Sequence, residues 1–251
     1  MKQFRHDAFD IAYIDEGKGD PVLLIHGFAS SISANWIAPG WVKTLTEAGY
    51  RVIALDNRGH GASTKSYDPA DYTPALMADD AAALLGHLGL ERAHVFGYSM
   101  GARVATFVAL RHPEKVASLI LGGLGIGMVE GVGDWDPIAE ALMAQDPATI
   151  THPRGKMFRA FADQTKSDRK ALAACIATSR ELVSEADVAT IAQPTLIAVG
   201  TKDDIAGAPE PLAGLMANAT VFAVEGRDHM LSVGDRTFKK RAVEFLQENP
   251  L

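Results

Sequence analysis

The chain has 251 residues, a length suited to one large α/β domain or to such a domain with a small insertion. It is 47% apolar and 22% charged and carries a formal net charge of −7 with no basic stripe, which argues against nucleic acid and anionic membrane surfaces as partners. The single cysteine, Cys175, rules out an intramolecular disulfide and reads as a small buried apolar residue in a helix, so a reducing, cytoplasmic setting is expected. The first seven residues hold no apolar run or small-residue cleavage site, so no secretory signal is expected. The longest apolar runs, such as 116–124, are too short to span a membrane.

In chain order, residues 9–14 alternate apolar and polar side chains and meet the turn signal Asp15-Glu16-Gly17. Runs at 21–25, 51–55, 94–97, 116–121, 195–200 and 220–225 follow, most of them apolar at nearly every position. Strands apolar on both faces belong in a parallel sheet covered by helices on both sides. Helices are predicted between them at 36–48, 73–88, 99–111, 209–216 and 236–247. The alternation implies right-handed crossovers and a mostly parallel, doubly wound sheet. From Gly122 to Gln193 no buried strand appears. A glycine-rich start gives way to helical stretches at 137–144, 155–164, 169–178 and 185–191. This segment reads as a helical cap, residues 123–192, inserted in a core made of 1–122 and 193–251. The glycines lack the spacing of a phosphate-binding loop.

The chemistry concentrates at Gly97-Tyr98-Ser99-Met100-Gly101, a G-x-S-x-G pattern between a buried strand and a helix. A tight strand-to-helix turn there lifts the serine above the sheet, and only glycine fits at the flanking positions. The helix N-terminus adds free N–H groups suited to a developing oxyanion. A serine hydroxyl needs a base. His229 sits in a loop just past the last predicted strand, at the sheet edge where open α/β folds place their sites. Either Asp203 or Asp204, after the strand at 195–200, can orient it. The order Ser, Asp, His matches the α/β-hydrolase arrangement.

Across nearly its whole length the sequence resembles the α/β-hydrolase superfamily, in the group of small cofactor-free bacterial esterases, perhydrolases and C–C bond hydrolases. His26-Gly27-Phe28 is similar to the family's oxyanion loop, and Asp56-Asn57-Arg58-Gly59-His60-Gly61-Ala62-Ser63 to its D-x-R-G-x-G-x-S turn. The resemblance implies the α/β-hydrolase fold, no cofactor and no metal. It selects Asp203, three residues after Gly200, as the acid, and it puts the oxyanion on the backbone N–H groups of Phe28 and Met100. His26 and His60 then read as structural histidines bonded to loop backbone, and Arg58 as a loop clamp. The other histidines show no metal-ligand spacing, and Asp79-Asp80 reads as a solvated helix face. Phe28, Tyr98, Met100, Met128 and Trp135 are the candidate apolar walls of a substrate pocket, with Arg58, Arg103 and Arg227 the only cations in view for a charged substrate. The expected activity is hydrolysis of a small, largely apolar carboxylic ester through an acyl-enzyme. C–C bond hydrolysis, lactone hydrolysis, peracid chemistry and slow-turnover ligand sensing are the alternatives. Serine at the nucleophile position argues against haloalkane dehalogenase and epoxide hydrolase chemistry. The oligomeric state is left open.

Overall fold

The computed structural model describes residues 1–251. Eight strands form one sheet: β1 (Lys2–His6), β2 (Phe9–Gly17), β3 (Pro21–Ile25), β4 (Arg51–Leu55), β5 (Ala93–Tyr98), β6 (Val116–Gly122), β7 (Thr195–Gly200) and β8 (Ala219–Val224). Their order is β1-β2-β4-β3-β5-β6-β7-β8. Only the pairings β1 with β2 and β2 with β4 are antiparallel. The rest of the sheet is parallel.

Eleven α-helices accompany the sheet. Those outside the β6–β7 connection are α1 (Trp41–Glu47), α2 (Pro74–His87), α3 (Met100–Arg111), α9 (Pro209–Leu215), α10 (His229–Ser232) and α11 (Arg236–Glu248). Between β6 and β7 the chain forms α4 (Gly127–Glu130), α5 (Asp136–Met143), α6 (Pro153–Gln164), α7 (Arg169–Thr178) and α8 (Glu185–Ala189), and no strand.

The strand runs are apolar throughout because both faces are covered. Leu23, Ile25, Ile53, Leu55, Leu119 and Leu121 pack into one core with α2, α3 and α9. Their neighbours Val22, Leu24, Val52, Ala54 and Ile120 pack into the other, with α1 and α11. This is the two-residue period of a strand buried on both sides. Helix starts carry local signals. Thr73 caps α2 by accepting from Leu76 N at 3.3 Å, with Pro74 in the first turn. Asp168 and Asp235 cap α7 and α11 in the same manner.

Several expectations need correction. The helix predicted at 36–48 is broken into a π-helical turn, Ser33–Ile37, and α1. Gly40 lies between them at φ 85°, just after Pro39, a backbone region that glycine enters without a Cβ penalty. Strand β1 has no counterpart among the predicted elements, because only Phe4 of its five residues is buried and its alternation is too short to read. Asp80 is not solvated: its side chain is 1% exposed and accepts from Arg58 Nε at 2.7 Å and Nη2 at 2.8 Å. His6 Nδ1 lies 2.7 Å from the same carboxylate. Arg58 also donates to the Asp71 carbonyl, so it does clamp the loops at 58 and 71 to α2.

The chain direction places the site. Strand β3 lies between β4 and β5, so successive crossovers leave it in opposite directions. A crevice therefore opens at the C-terminal ends of β3 and β5, the switch point of the sheet.

Candidate active site

Ser99 occupies the turn between β5 and α3 with φ 55° and ψ −115°. A non-glycine residue at positive φ costs energy and needs surroundings that hold it. They do: Ser99 N–H donates to the Gly122 carbonyl at 2.7 Å. The turn is also tight. A Cβ at residue 97 would run into the Gly101 carbonyl, and one at residue 101 into the Ile25 carbonyl. Both glycines of the motif are therefore required by backbone packing.

His229 Nε2 lies 2.9 Å from Ser99 Oγ, and its Nδ1 lies 2.8 Å from Asp203 Oδ2. A carboxylate only accepts, so Nδ1 carries the proton and Nε2 is left to accept from the serine hydroxyl. The side chain of Asp203 is fully buried and that of His229 7% exposed. The other oxygen of Asp203 accepts from the N–H groups of Ile205 and Ala206, at 2.9 Å each. Asp204 is placed differently: its side chain is 81% exposed and faces Arg154 at 3.9 Å. His229 itself is the first residue of α10, not part of a loop, and Asp228 caps that turn by accepting from Leu231 N at 2.8 Å. The Tyr98 hydroxyl donates to the His229 carbonyl at 2.6 Å.

The loop after β3 is shaped by two histidines. His26 Nδ1 donates to the Gly27 carbonyl at 2.8 Å, and its Nε2 accepts from Asn57 N–H at 3.0 Å. His60 Nε2 accepts from Ala29 N–H at 3.2 Å, and its Nδ1 donates to the Arg58 carbonyl at 3.0 Å. Burial pushes His26 down to about 4. Burial, and then the charge of His26, push His60 down to about 3. Both rings are therefore neutral near pH 7 and serve as backbone braces. The Phe28 amide, held between them, finds no acceptor in the protein. Met100 opens α3, where first-turn N–H groups lack intrahelical partners.

Ser99 and His229 line a cavity of about 290 Å³, together with Phe28, Asn35, Tyr98, Phe158, Phe161 and Leu231. Tyr98 is among the residues that line it. Met128 and Trp135 are not: neither lines this cavity. Met128 is fully buried in the core, and Trp135 packs against Phe158 at 5.8 Å between ring centres. Phe158 and Phe161 of α6 supply the wall instead, and Asn35 Oδ1 accepts from Gly27 N–H at 3.1 Å. Nothing in their spacing marks these residues, because helix packing alone decides which face of α6 meets the crevice. The three cations in view from the sequence are all engaged. Arg58 pairs with Asp80, Arg227 with Asp235, and Arg103 donates to the carbonyls of Gly127, Met128 and Glu181. No group of three or more His, Cys, Asp or Glu side chains is placed to hold a metal ion.

A family model described as the alpha/beta hydrolase fold matches residues 20–162. A 2-hydroxymuconate semialdehyde hydrolase from Pseudomonas sp. (strain CF600) is 35% identical over 125 residues, which cover 47% of this chain and 42% of the relative. The chain spans well under half the length of the curated relatives it matches. Among solved structures, a hydrolase from Pseudomonas aeruginosa PA01 superposes with a TM-score of 0.79 at 26% identity, covering 98% of this chain and 97% of that one. An esterase from Exiguobacterium antarcticum gives 0.78 at 24% identity, covering 96% and 97%, and shares the fold.

Proposed function

This chain belongs to the α/β-hydrolase fold family, and we propose that within it the protein is a serine hydrolase acting on carboxylic esters of small, largely apolar compounds. The observation that carries the reading is the continuous hydrogen-bonded line from Ser99 through His229 to Asp203, at 2.9 and 2.8 Å.

Ser99 Oγ attacks the ester carbonyl while His229 Nε2 takes its proton. Asp203 holds the imidazole in the accepting tautomer and stabilises the imidazolium that forms. The tetrahedral oxyanion rests on the amides of Phe28 and Met100, and each such donor is worth about 3 kcal/mol in the transition state. His229 returns the proton to the departing alcohol. Water, deprotonated by the same nitrogen, then clears the acyl-enzyme. The helical segment 123–192 acts as a cap, and its Phe158 and Phe161 help enclose an apolar group of the substrate.

The test is Ser99→Ala on p-nitrophenyl hexanoate. We expect kcat to fall by about three orders of magnitude or more with unchanged thermal melting, and a fluorophosphonate to label only the unsubstituted protein. Retention of most activity by the variant would refute the assignment. The relative named a 2-hydroxymuconate semialdehyde hydrolase favours a second reading, cleavage of a C–C bond by the same three residues. Relative kcat/KM values on esters, lactones and vinylogous diketones separate the two.

A further inference from the structure

The wall of the apolar cavity holds two polar side chains whose hydrogen-bonding capacity the protein leaves unused. Asn35 and Ser30 both line it and are 6% and 5% exposed. Asn35 Oδ1 accepts from Gly27 N–H, but its Nδ2 is buried and reaches no acceptor. The amide cannot turn over, because Nδ2 would then face the Gly27 N–H, donor against donor. Ser30 is held through its backbone N–H, which donates to the Gly27 carbonyl at 3.3 Å, and its hydroxyl enters no hydrogen bond. The Tyr98 hydroxyl, by contrast, is engaged with the His229 carbonyl. A buried amide donor without a partner is costly, and an incoming acceptor relieves that cost. The amide also stands beside the nucleophile: a Cβ at residue 27 would lie 3.4 Å from Ser99 Cβ and 3.7 Å from Asn35 Oδ1.

We infer that Asn35, helped by Ser30, is a specificity-determining residue that takes a neutral oxygen on the acyl chain of the substrate, a few bonds from the scissile carbonyl. The inference rests on the serine-hydrolase reading for the position of that carbonyl. The leaving alcohol must face His229 Nε2, which returns its proton, so the arm beside Gly27 and Asn35 is the acyl chain. No lysine, arginine or carboxylate lines the cavity, so the oxygen belongs to an uncharged group. The pinned Nδ2 can only donate, and the Ser30 hydroxyl can donate or accept, so a ketone or a hydroxyl suits the pair. Phe158 and Phe161 receive the apolar remainder of the chain. The substrate class is therefore an ester of a 3-oxo or 3-hydroxy acid rather than a plain alkanoate.

Binding can be measured without turnover, in the Ser99→Ala background at pH 8, by calorimetry with ethyl 3-oxohexanoate, ethyl 3-hydroxyhexanoate and ethyl hexanoate. We expect both oxygenated esters to bind about fivefold tighter than ethyl hexanoate. Asn35→Asp keeps an acceptor for Gly27 N–H and puts a second acceptor where the donor was. The ketone then meets an oxygen and loses its advantage, whereas the hydroxyl turns, donates and keeps its own. A residue that only braced the loop would lower all three affinities alike. Ser30→Ala reduces both preferences about twofold and gives a second measure should Asn35→Asp fail to fold. Equal affinities for the three esters, or a ketone preference that survives Asn35→Asp, would overturn the inference. So would a parallel loss of all three in that variant. Should the preference hold while the unsubstituted protein hydrolyses none of these esters nor any other, the serine-hydrolase reading fails and the oxygen subsite stands.

Discussion

Replacing Asp203 by asparagine changes one oxygen to an amino group, and the structure dictates which way the new amide turns. One carboxylate oxygen accepts from Ile205 and Ala206 N–H at 2.9 Å each. An amino group there would set donors against donors and strand two buried N–H groups, at roughly 1–3 kcal/mol apiece. The amide oxygen therefore stays with the backbone, and the amino group faces His229 Nδ1, now 2.8 Å away. A donor at that position favours the tautomer with its proton on Nε2. That nitrogen can no longer accept from Ser99. Loss of the correct tautomer in a serine triad lowers kcat by about 10⁴, or roughly 5.5 kcal/mol of barrier. The assay is kcat on p-nitrophenyl hexanoate for Asp203→Asn, with thermal melting and the ¹⁵N shifts of the His229 ring measured alongside. A folded variant that keeps kcat within tenfold, or whose imidazole keeps its proton on Nδ1, would refute the reasoning.

Two further predictions concern stability. Asp80→Asn leaves Arg58, whose side chain is 3% exposed, buried without its counter-charge. We expect a loss of about 3–5 kcal/mol and a melting point lower by roughly 10 °C. A change below about 1 kcal/mol by urea unfolding would show that the pair is not the buried clamp described. His26 and His94 are pushed down to about 4 and His60 to about 3, in each case chiefly by burial. The unfolded chain takes up protons near pH 6.5 and the folded one does not, so stability is complete above pH 6.5 and declines as pH falls towards 4. Each histidine contributes a slope of about 1.4 kcal/mol per pH unit in that window. A melting temperature flat from pH 7 to pH 4.5 would contradict this.

The Ser99 turn was readable in the sequence because backbone geometry leaves little choice there. Residues 97 and 101 approach neighbouring carbonyls so closely that only glycine fits, and the requirement is written as a motif. The parallel strands were readable because burial on both faces removes polar residues. The partner at 203 was separable from 204 only by resemblance, since the two share residue type and strand end; the coordinates separate them by burial. What was not readable depends on how whole helices meet. Met128 and Trp135 look like wall residues by type, yet packing turns them into the core and against Phe158. Asp80 looks like a surface charge, and only three-dimensional packing buries it. Strand β1 has a single buried anchor, Phe4, and leaves no period to detect.

The bond from the Tyr98 phenol to the His229 carbonyl spans the two halves of the site, 131 residues apart in sequence. The ring is wedged against Gly122 and Gly123, where a Cβ would strike it, so the phenol behaves as a strut of fixed length. Lifting α10 would require breaking that strut or dragging the end of β5 with it. The distance from serine to imidazole is therefore tied to the sheet itself and not to the helices between β6 and β7 that bring Phe158 and Phe161 to the cavity.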